Sequence, residues 1–396
     1  MPSGRGMCIG GRSLIYMDNA ATTRVTEEVF EAMKPYFCQV YGNPSSVHWA
    51  GREARKAVER ARRQVACALG ADAREIYFTS GGSEADSWAL LGAAMAGGQS
   101  RRTLVTTKIE HKAVLNAAAR LEKTGFTVKY ASPGPDGCIF PEEAERLADG
   151  DTFMVSTMAA NNETGAVQDT AAFADIAHKN GALFHTDAVQ AFSCGEWNVH
   201  ARNIDLLSLS GHKLHAPKGV GALYVREGVL LSPLIFGGAQ ERGRRGGTEN
   251  LAAIVGLGCA AELAVRRREE TRRVKALLLN RLEKGILNSV QRCTVNGNGP
   301  LGRVPGITNI TFEDVDGEAL LLNLDLKHIA VSAGSACTSG SVDPSHVLLA
   351  MGRTREQALS SVRFSLSEEN TEQEVDEVIS AVKAIVEKLR SMKTGR

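Results

Sequence analysis

Small and apolar residues recur at helical spacing between Glu53 and Leu69, where Ala54, Ala57, Val58, Ala61, Val65, Ala68 and Leu69 would share one face. The stretch Glu75–Thr79 that follows reads as a strand, and the same alternation continues along the chain. Strand-like runs at Thr103–Thr107, Thr127–Ala131, Thr152–Thr157, Ala182–Thr186, Leu206–Leu209 and Val220–Val225 are mostly separated by helical stretches. That alternation predicts an α/β fold built on a largely parallel sheet covered on both faces. After Val265 the texture changes to a charged helix over Arg266–Leu287, strands near Ile307–Phe312 and Val362–Ser367, and a final helix, which predicts a smaller α+β domain. In that last helix Val375, Val378, Ile379, Val382, Ile385, Val386 and Leu389 form one apolar stripe opposite Glu and Lys, as core packing requires. The expected organisation is a flexible tail over 1–13, a large domain over 26–265 and a small one over 266–396.

Charge and composition narrow the functions this fold could serve. Forty-six basic against forty-five acidic side chains leave a formal charge of +1, so no global field draws nucleic acid or an anionic membrane, and neither is an expected partner. No apolar run reaches the roughly 18 residues of a membrane helix. The Gly- and Arg-rich start has no apolar stretch of secretory type and is expected to fray, with Met7 an alternative start. The eight cysteines include no Cys-x-x-Cys pair, and no His stands at finger spacing. Neither a metal site nor a disulfide framework is expected, and a reducing, cytoplasmic compartment is.

Five segments carry candidate chemistry. Thr79-Ser-Gly-Gly-Ser-Glu-Ala-Asp86 follows a strand and precedes a helical stretch from about Trp88; its small residues, Gly82 and Ser83 among them, could let backbone amides cradle a phosphate, or could be an ordinary capped turn. In Ser208-Leu-Ser-Gly-His-Lys-Leu-His215, Lys213 stands just beyond a buried strand, where desolvation would favour a neutral, nucleophilic amine; a surface loop lysine is the alternative, and His212 with His215 could also be weighed as a metal pair. Asp187 ends another apolar strand. Ligands of parallel sheets gather at the carboxyl ends of strands, so Asp187, Lys213 and the Gly-Ser turn could share a crevice. An acid for a pyridine nitrogen, a lysine and a phosphate cradle together describe a pyridoxal phosphate site. Finally, Val331–Ser341 sets Cys337 among small polar residues, which predicts an exposed loop presenting a thiol unless the cysteine is incidental. Arg363 within a strand suits bidentate capture of a carboxylate, or an internal ion pair. Gly297-Asn-Gly-Pro-Leu-Gly302 matches the dinucleotide pattern only formally, because Pro300 and Pro305 intrude and a strand follows.

From Tyr16-Met-Asp-Asn-Ala-Ala-Thr-Thr23 to the last helix, the chain resembles the cysteine desulfurases of the NifS/IscS type. The resemblance rests on Tyr41-Gly-Asn-Pro-Ser-Ser46, the Gly-Ser turn, Glu110-His-Lys112, Asn161-Asn-Glu-Thr-Gly165, Ser210-Gly-His-Lys213, Arg244-Arg-Gly-Gly-Thr-Glu-Asn250 and Gly334-Ser-Ala-Cys-Thr-Ser339, in the family's order. It implies a pyridoxal-phosphate enzyme of fold type I, with a mostly parallel seven-stranded sheet, an N-terminal segment 14–25 packed on the small domain, and a homodimer with the active site at the subunit interface.

By the same resemblance Lys213 would carry the cofactor, Asp187 would keep the pyridine nitrogen protonated, and His111 would stack on the ring and shuttle protons. Gln190 would meet the ring hydroxyl. Gly82, Ser83, Ser210, His212 and, from the other subunit, Thr248 would hold the phosphate, and Asn162 with Arg363 the substrate carboxylate. Cys337 would take the sulfur of L-cysteine as a persulfide, releasing L-alanine, and pass it to an acceptor protein for iron-sulfur cluster assembly or other thiolated products. Ser83 stands where many relatives have Thr, and Ser332-Ala-Gly334 where they have Ser-Ser-Gly. The chain stops soon after the last helix, without the longer tail by which housekeeping members engage a scaffold, so that docking is not implied. The alternative is a related pyridoxal-phosphate lyase acting on selenocysteine, cysteine sulfinate or a pathway-specific amino acid.

Overall fold

A computed structural model describes residues 8–9, 12–96, 100–333 and 343–394. Its main sheet has seven strands in the spatial order Ile76–Thr79, Gly221–Val225, Leu206–Ser210, Leu183–Asp187, Thr152–Ser156, Thr103–Thr107 and Thr127–Ala131. Within it Gly221–Val225 alone runs against its neighbours; the remaining pairs are parallel. Because successive side chains of a strand point to opposite faces, neighbours in sequence enter different cores. Val105, Val155, Leu207 and Tyr224 pack into one layer, while Leu104, Met154, Leu206 and Leu223 pack into the other. The sequence-predicted strands are all present, with ends shifted by a residue or two; one shift matters, since Asp187 is the last residue of its strand and inherits that strand's rigidity.

Helix Trp49–Leu69 begins where the His48 ring accepts the Gly51 N–H at 3.3 Å and ends at Gly70, whose φ of 65° is the left-handed turn that releases a helix. It packs along Leu251–Ser289, a helix of 39 residues. The approach is close: a Cβ on Gly258 would lie 2.7 Å from the Cα of Ala61. The charged helix expected from Arg266 is therefore the second half of one helix that starts at Leu251 and runs through position 265. Its first half, Leu251–Gly258, is buried on every side, so no polar face marks it as a helix in sequence. Farther along, Leu278, Leu279, Leu282 and Ile286 enter a separate core with Val375, Val378, Val382, Ile385 and Val386 of helix Glu372–Thr394.

That second core lies against an antiparallel sheet of three strands, with Ile307–Phe312 between Cys293–Asn296 and Ser361–Ser365. Gly297–Gly302 falls between two of those strands, so it opens no helix. The N-terminal segment crosses from this sheet to the main one. Ile15–Tyr16 pairs with Ile329–Ala330, Asp18 bridges Ser365, and Thr23 N–H reaches the His212 carbonyl at 2.9 Å.

One buried ion pair ties helix Trp49–Leu69 to the edge strand Ile76–Thr79 and to the turn Gln240–Gly243. Arg62 donates to Glu241 at 2.7 and 2.9 Å, both side chains are 2% exposed, and Arg62 also reaches the Ile76 carbonyl at 2.8 Å while Glu241 accepts the Phe78 N–H at 3.0 Å. Removing one partner of such a pair strands the other charge away from water. Arg62→Met should lower unfolding free energy by about 3–5 kcal/mol in urea titration; a loss below about 1 kcal/mol would mean that the pair does not hold the edge strand.

Candidate functional site

The carboxyl ends of the parallel strands open into a cavity of about 590 Å³. Gly82, Ser83, His111, Asn162, Asp187, Gln190, Ser210, His212, Lys213 and Arg363 all line it, so the structure brings these sequence-predicted residues together. Thr248 does not line it and is exposed, and Cys337 lies outside the described residues.

Lys213 ends the short turn Gly211–Lys213 after strand Leu206–Ser210. Its Nζ donates to the Ala21 carbonyl at 2.7 Å and to that of Ala20. Burial lowers its pKa to about 8, the Arg363 guanidinium pushes the same way, and Asp18 and Asp187 oppose both. Asp187 accepts the Val189 N–H at 2.9 Å; burial raises its pKa, against His111, the Val189 N–H and Lys213. His111 caps helix Lys112–Glu122, its Nδ1 accepting the Ala113 N–H at 3.1 Å. A neutral His111 therefore carries its proton on Nε2, and burial favours the neutral form, partly offset by Asp187. Gln190 Nε2 donates to the Ala20 carbonyl at 2.9 Å.

The Gly-Ser turn is itself the helix start: Gly82–Ser87 continues as the looser turn Trp88–Gly92, so the helix expected near Trp88 begins at Gly82. Its backbone is crowded, since a Cβ on Gly82 would stand 3.0 Å from Val189 Cγ2 and 3.4 Å from Ser210 Cβ. The turn is held by Glu84, which accepts from Ser80 N–H at 2.7 Å and from Arg245 at 2.9 and 3.1 Å. A second, more open concavity shares Gly82, Ser83, Ser210 and His212 and adds Thr22 and Lys218. His212 Nδ1 lies 3.2 Å from Thr22 Oγ1, and burial, Lys213 and Lys218 push its pKa down to about 4.

Opposite Lys213, Arg363 occupies the interior of strand Ser361–Ser365 and is 3% exposed in its side chain. Nη1 donates to the Asn162 carbonyl at 2.9 Å and Nη2 to Asp18 Oδ1 at 2.8 Å. Arg363 thus makes an internal ion pair with Asp18 while lining the cavity.

Sequence reasoning assigned no role to Asp18, Asp86, Glu110 or Glu163, although each stands within a quoted motif. Glu110 is fully buried, accepts from Thr107 Oγ1 at 2.7 Å and Met158 N–H at 3.0 Å, and burial pushes its pKa up to about 8. Glu163 is buried and accepts the Ser345 hydroxyl. An acidic residue inside an otherwise small or apolar segment was the available signal, since ionic groups are rarely buried without purpose.

The chain belongs to the class-V aminotransferase family, whose model matches residues 15–378. Cysteine desulfurase 2 of Trichormus variabilis is 49% identical, with 96% of this chain and 95% of that protein covered. Cysteine desulfurase IscS of Methanosarcina thermophila is 48% identical, covering 96% and 93%. A solved NifS-like protein superposes with a TM-score of 0.89 at 39% identity, covering 95% of this chain and 100% of that one. The likeness to NifS/IscS-type cysteine desulfurases therefore runs the length of the chain, and with it come fold type I and dependence on pyridoxal phosphate.

The residues present fit that cofactor. An amine of lowered proton affinity, a carboxylate at a strand end and a glycine-started helix beside Ser83 and Ser210 line one cavity. Reaction of the cofactor-free protein with an aldehyde, trapped by borohydride and read at Lys213 by mass spectrometry, should follow a midpoint near pH 8 and not the ordinary 10.5. The free amine is the reactive form, so labelling rises with pH; a midpoint above 10 would refute the lowered pKa.

Proposed function

We propose that this chain converts L-cysteine to L-alanine and passes the sulfur, through a persulfide on Cys337, to an acceptor protein. The observation that carries the reading is the single cavity that holds Lys213, Asp187 and His111 on one side and Arg363 with Asn162 on the other. Bound pyridoxal phosphate would supply the electron sink that lets the substrate lose its Cα proton and then its sulfur.

The chain's own groups do the rest. Gly82, Ser83, Ser210, His212 and the partner subunit's Thr248 would hold the phosphate. Asp187 would meet the ring nitrogen and Gln190 the ring hydroxyl. Lys213 would carry the cofactor, and its Nζ, more readily deprotonated than an ordinary lysine, would serve as the base for the Cα proton. His111 moves a proton at Nε2. Arg363 and Asn162 orient the substrate by its carboxylate. The Cys337 thiolate attacks the substrate sulfur: an S–S bond forms, the C–S bond breaks with its electron pair left to the substrate carbon, and protons returned to that carbon and to Cα complete alanine.

The same reading includes a homodimer in the cytoplasm and an acceptor that serves iron-sulfur cluster assembly or another thiolated product. Tyr41 at 78%, Trp49 at 72% and Phe236 at 84% exposure give a single chain large apolar side chains that an interface would cover, which supports the dimer. The domain division proposed is a tail over 1–13, a segment 14–25 packed on the small domain, a large domain over 26–265 and a small one over 266–396.

Cofactor-loaded protein should release alanine from L-cysteine in the presence of a reducing thiol, and Cys337→Ser should lose about 100-fold or more while keeping the cofactor's visible absorbance. Equal turnover by both would leave the Lys213 assignment standing and point to a different amino-acid substrate. Arg363→Lys keeps the charge and loses the planar fork, so KM for cysteine should rise about tenfold, the worth of one charge-assisted hydrogen bond; an unchanged KM would remove Arg363 from the carboxylate subsite.

A further inference from the structure

A polar cluster lies at the base of the cavity that the reaction above does not use. Asp86, on the helix begun by Gly82, is 1% exposed and lines the cavity, and among the described residues its Oδ1 has no hydrogen-bond partner. Behind it His185, wholly buried on strand Leu183–Asp187, is held between two hydroxyls, with Ser156 Oγ 2.8 Å from Nδ1 and Ser208 Oγ 3.0 Å from Nε2. His185 Nε2 stands 3.7 Å from Asp86 Oδ1, and the Ser208 hydroxyl acts on the same carboxyl in favour of its charged form.

Ser208 has one proton to donate, and a carboxyl oxygen is a stronger acceptor than an imidazole N–H, which accepts nothing. The chain is then ordered: Ser156 O–H to His185 Nδ1 and His185 Nε2–H to Ser208 Oγ, with the Ser208 O–H turned toward Asp86. His185 is neutral in this arrangement, in keeping with burial that drives its pKa down to about 3, so it supplies no positive charge to Asp86. The other groups facing Asp86 are carboxyls: Asp187 from the strand end and Glu110 from the loop before His111, and both raise its pKa, as does burial. His111 and Lys213 favour the charged form of Asp187, and Glu84 on the Asp86 helix is committed to Arg245. Adjacent carboxylates stripped of water cannot both ionise without a cation between them.

We infer that Asp86 is a positioning residue for the ring-nitrogen end of the cofactor site, standing behind Asp187 as a neutral carboxylic acid so that Asp187 alone carries the negative charge there. The unpartnered Oδ1 is the oxygen that bears the proton. A cofactor ring bearing one N–H then meets one anion, and its orientation is set by that single pair. The inference rests on Asp187 being the ring-nitrogen partner.

The test is an infrared difference spectrum, wild type minus Asp86→Asn, recorded at neutral pH on cofactor-free and cofactor-loaded protein. A protonated-carboxyl C=O band that shifts in D2O is expected in both forms; carboxylate bands in its place would overturn the inference. Pyridoxal phosphate affinity provides the second arm. Asp187→Asn should loosen it at least tenfold and Asp86→Asn less than threefold, because a neutral amide replaces a neutral acid; comparable losses in the two variants would overturn the division of charge. An Asp187→Asn variant of unchanged affinity would instead defeat the ring-nitrogen assignment, while the infrared band still reports on Asp86. Should Asp86→Asn not fold, Ser208→Ala must shift the band to higher frequency, and a spectrum insensitive to that change would count against the inference.

Discussion

A lysine amine and a carboxylate, both drawn out of water at the ends of neighbouring parallel strands, are the constraint on which the rest of this structure depends. Strand ends are where a doubly covered sheet leaves backbone groups and side chains facing a crevice instead of a core. Lys213 and Asp187 sit at two such ends, and each favours the charged form of the other. Burial is what lowers the amine's proton affinity, because an amine free to reach water would regain its ordinary pKa. The N-terminal carbonyls of Ala20 and Ala21 complete the arrangement by accepting from Lys213 Nζ.

Those carbonyls belong to a segment that also binds the small sheet, which couples the two halves of the molecule at the site itself. Asp18 pairs with Arg363 and bridges Ser365, Ala20 accepts from Gln190, and Thr23 caps the turn that carries His212 and Lys213. Helix Leu251–Ser289 makes the same connection along the outside, contributing its first half to the large core and its second to the small one. Arg363 and Lys213 therefore line one cavity from the small and the main sheet, and their separation is set by packing.

Much of this was legible in the chain. The strands around Leu206 and Leu183 are buried and largely apolar, so their existence and approximate ends follow from residue type, and the lysine just beyond one and the aspartate ending the other were conspicuous. The stripe from Val375 to Leu389 predicted its helix for the opposite reason, a clean division between apolar and charged faces. Helix Leu251–Ser289 escaped at its start because Leu251, Ile254, Val255 and Leu257 are buried together with the small residues between them, which erases any period. Asp86, Glu110 and Glu163 were visible as residues but not as a group, since their shared burial arises from three separate elements meeting in space.

The sequence by itself determined the alternating architecture, the chemical inventory of amine, acid, phosphate cradle and thiol, and through its motif order the kinship with cysteine desulfurases. Only the tertiary structure decided which way the proton affinity of each group is pushed. Spacing along a chain says which side chains can reach a crevice; how far water is excluded, and which neighbour faces which, depends on contacts between residues remote in sequence, such as Arg363 with Asp18 and Ser208 with His185 and Asp86. Electrostatic energies inside a protein vary steeply with both. That is why Lys213 could be singled out as a candidate nucleophile from its place beyond a strand, while its lowered pKa and the crowding of carboxyls beneath it required the fold.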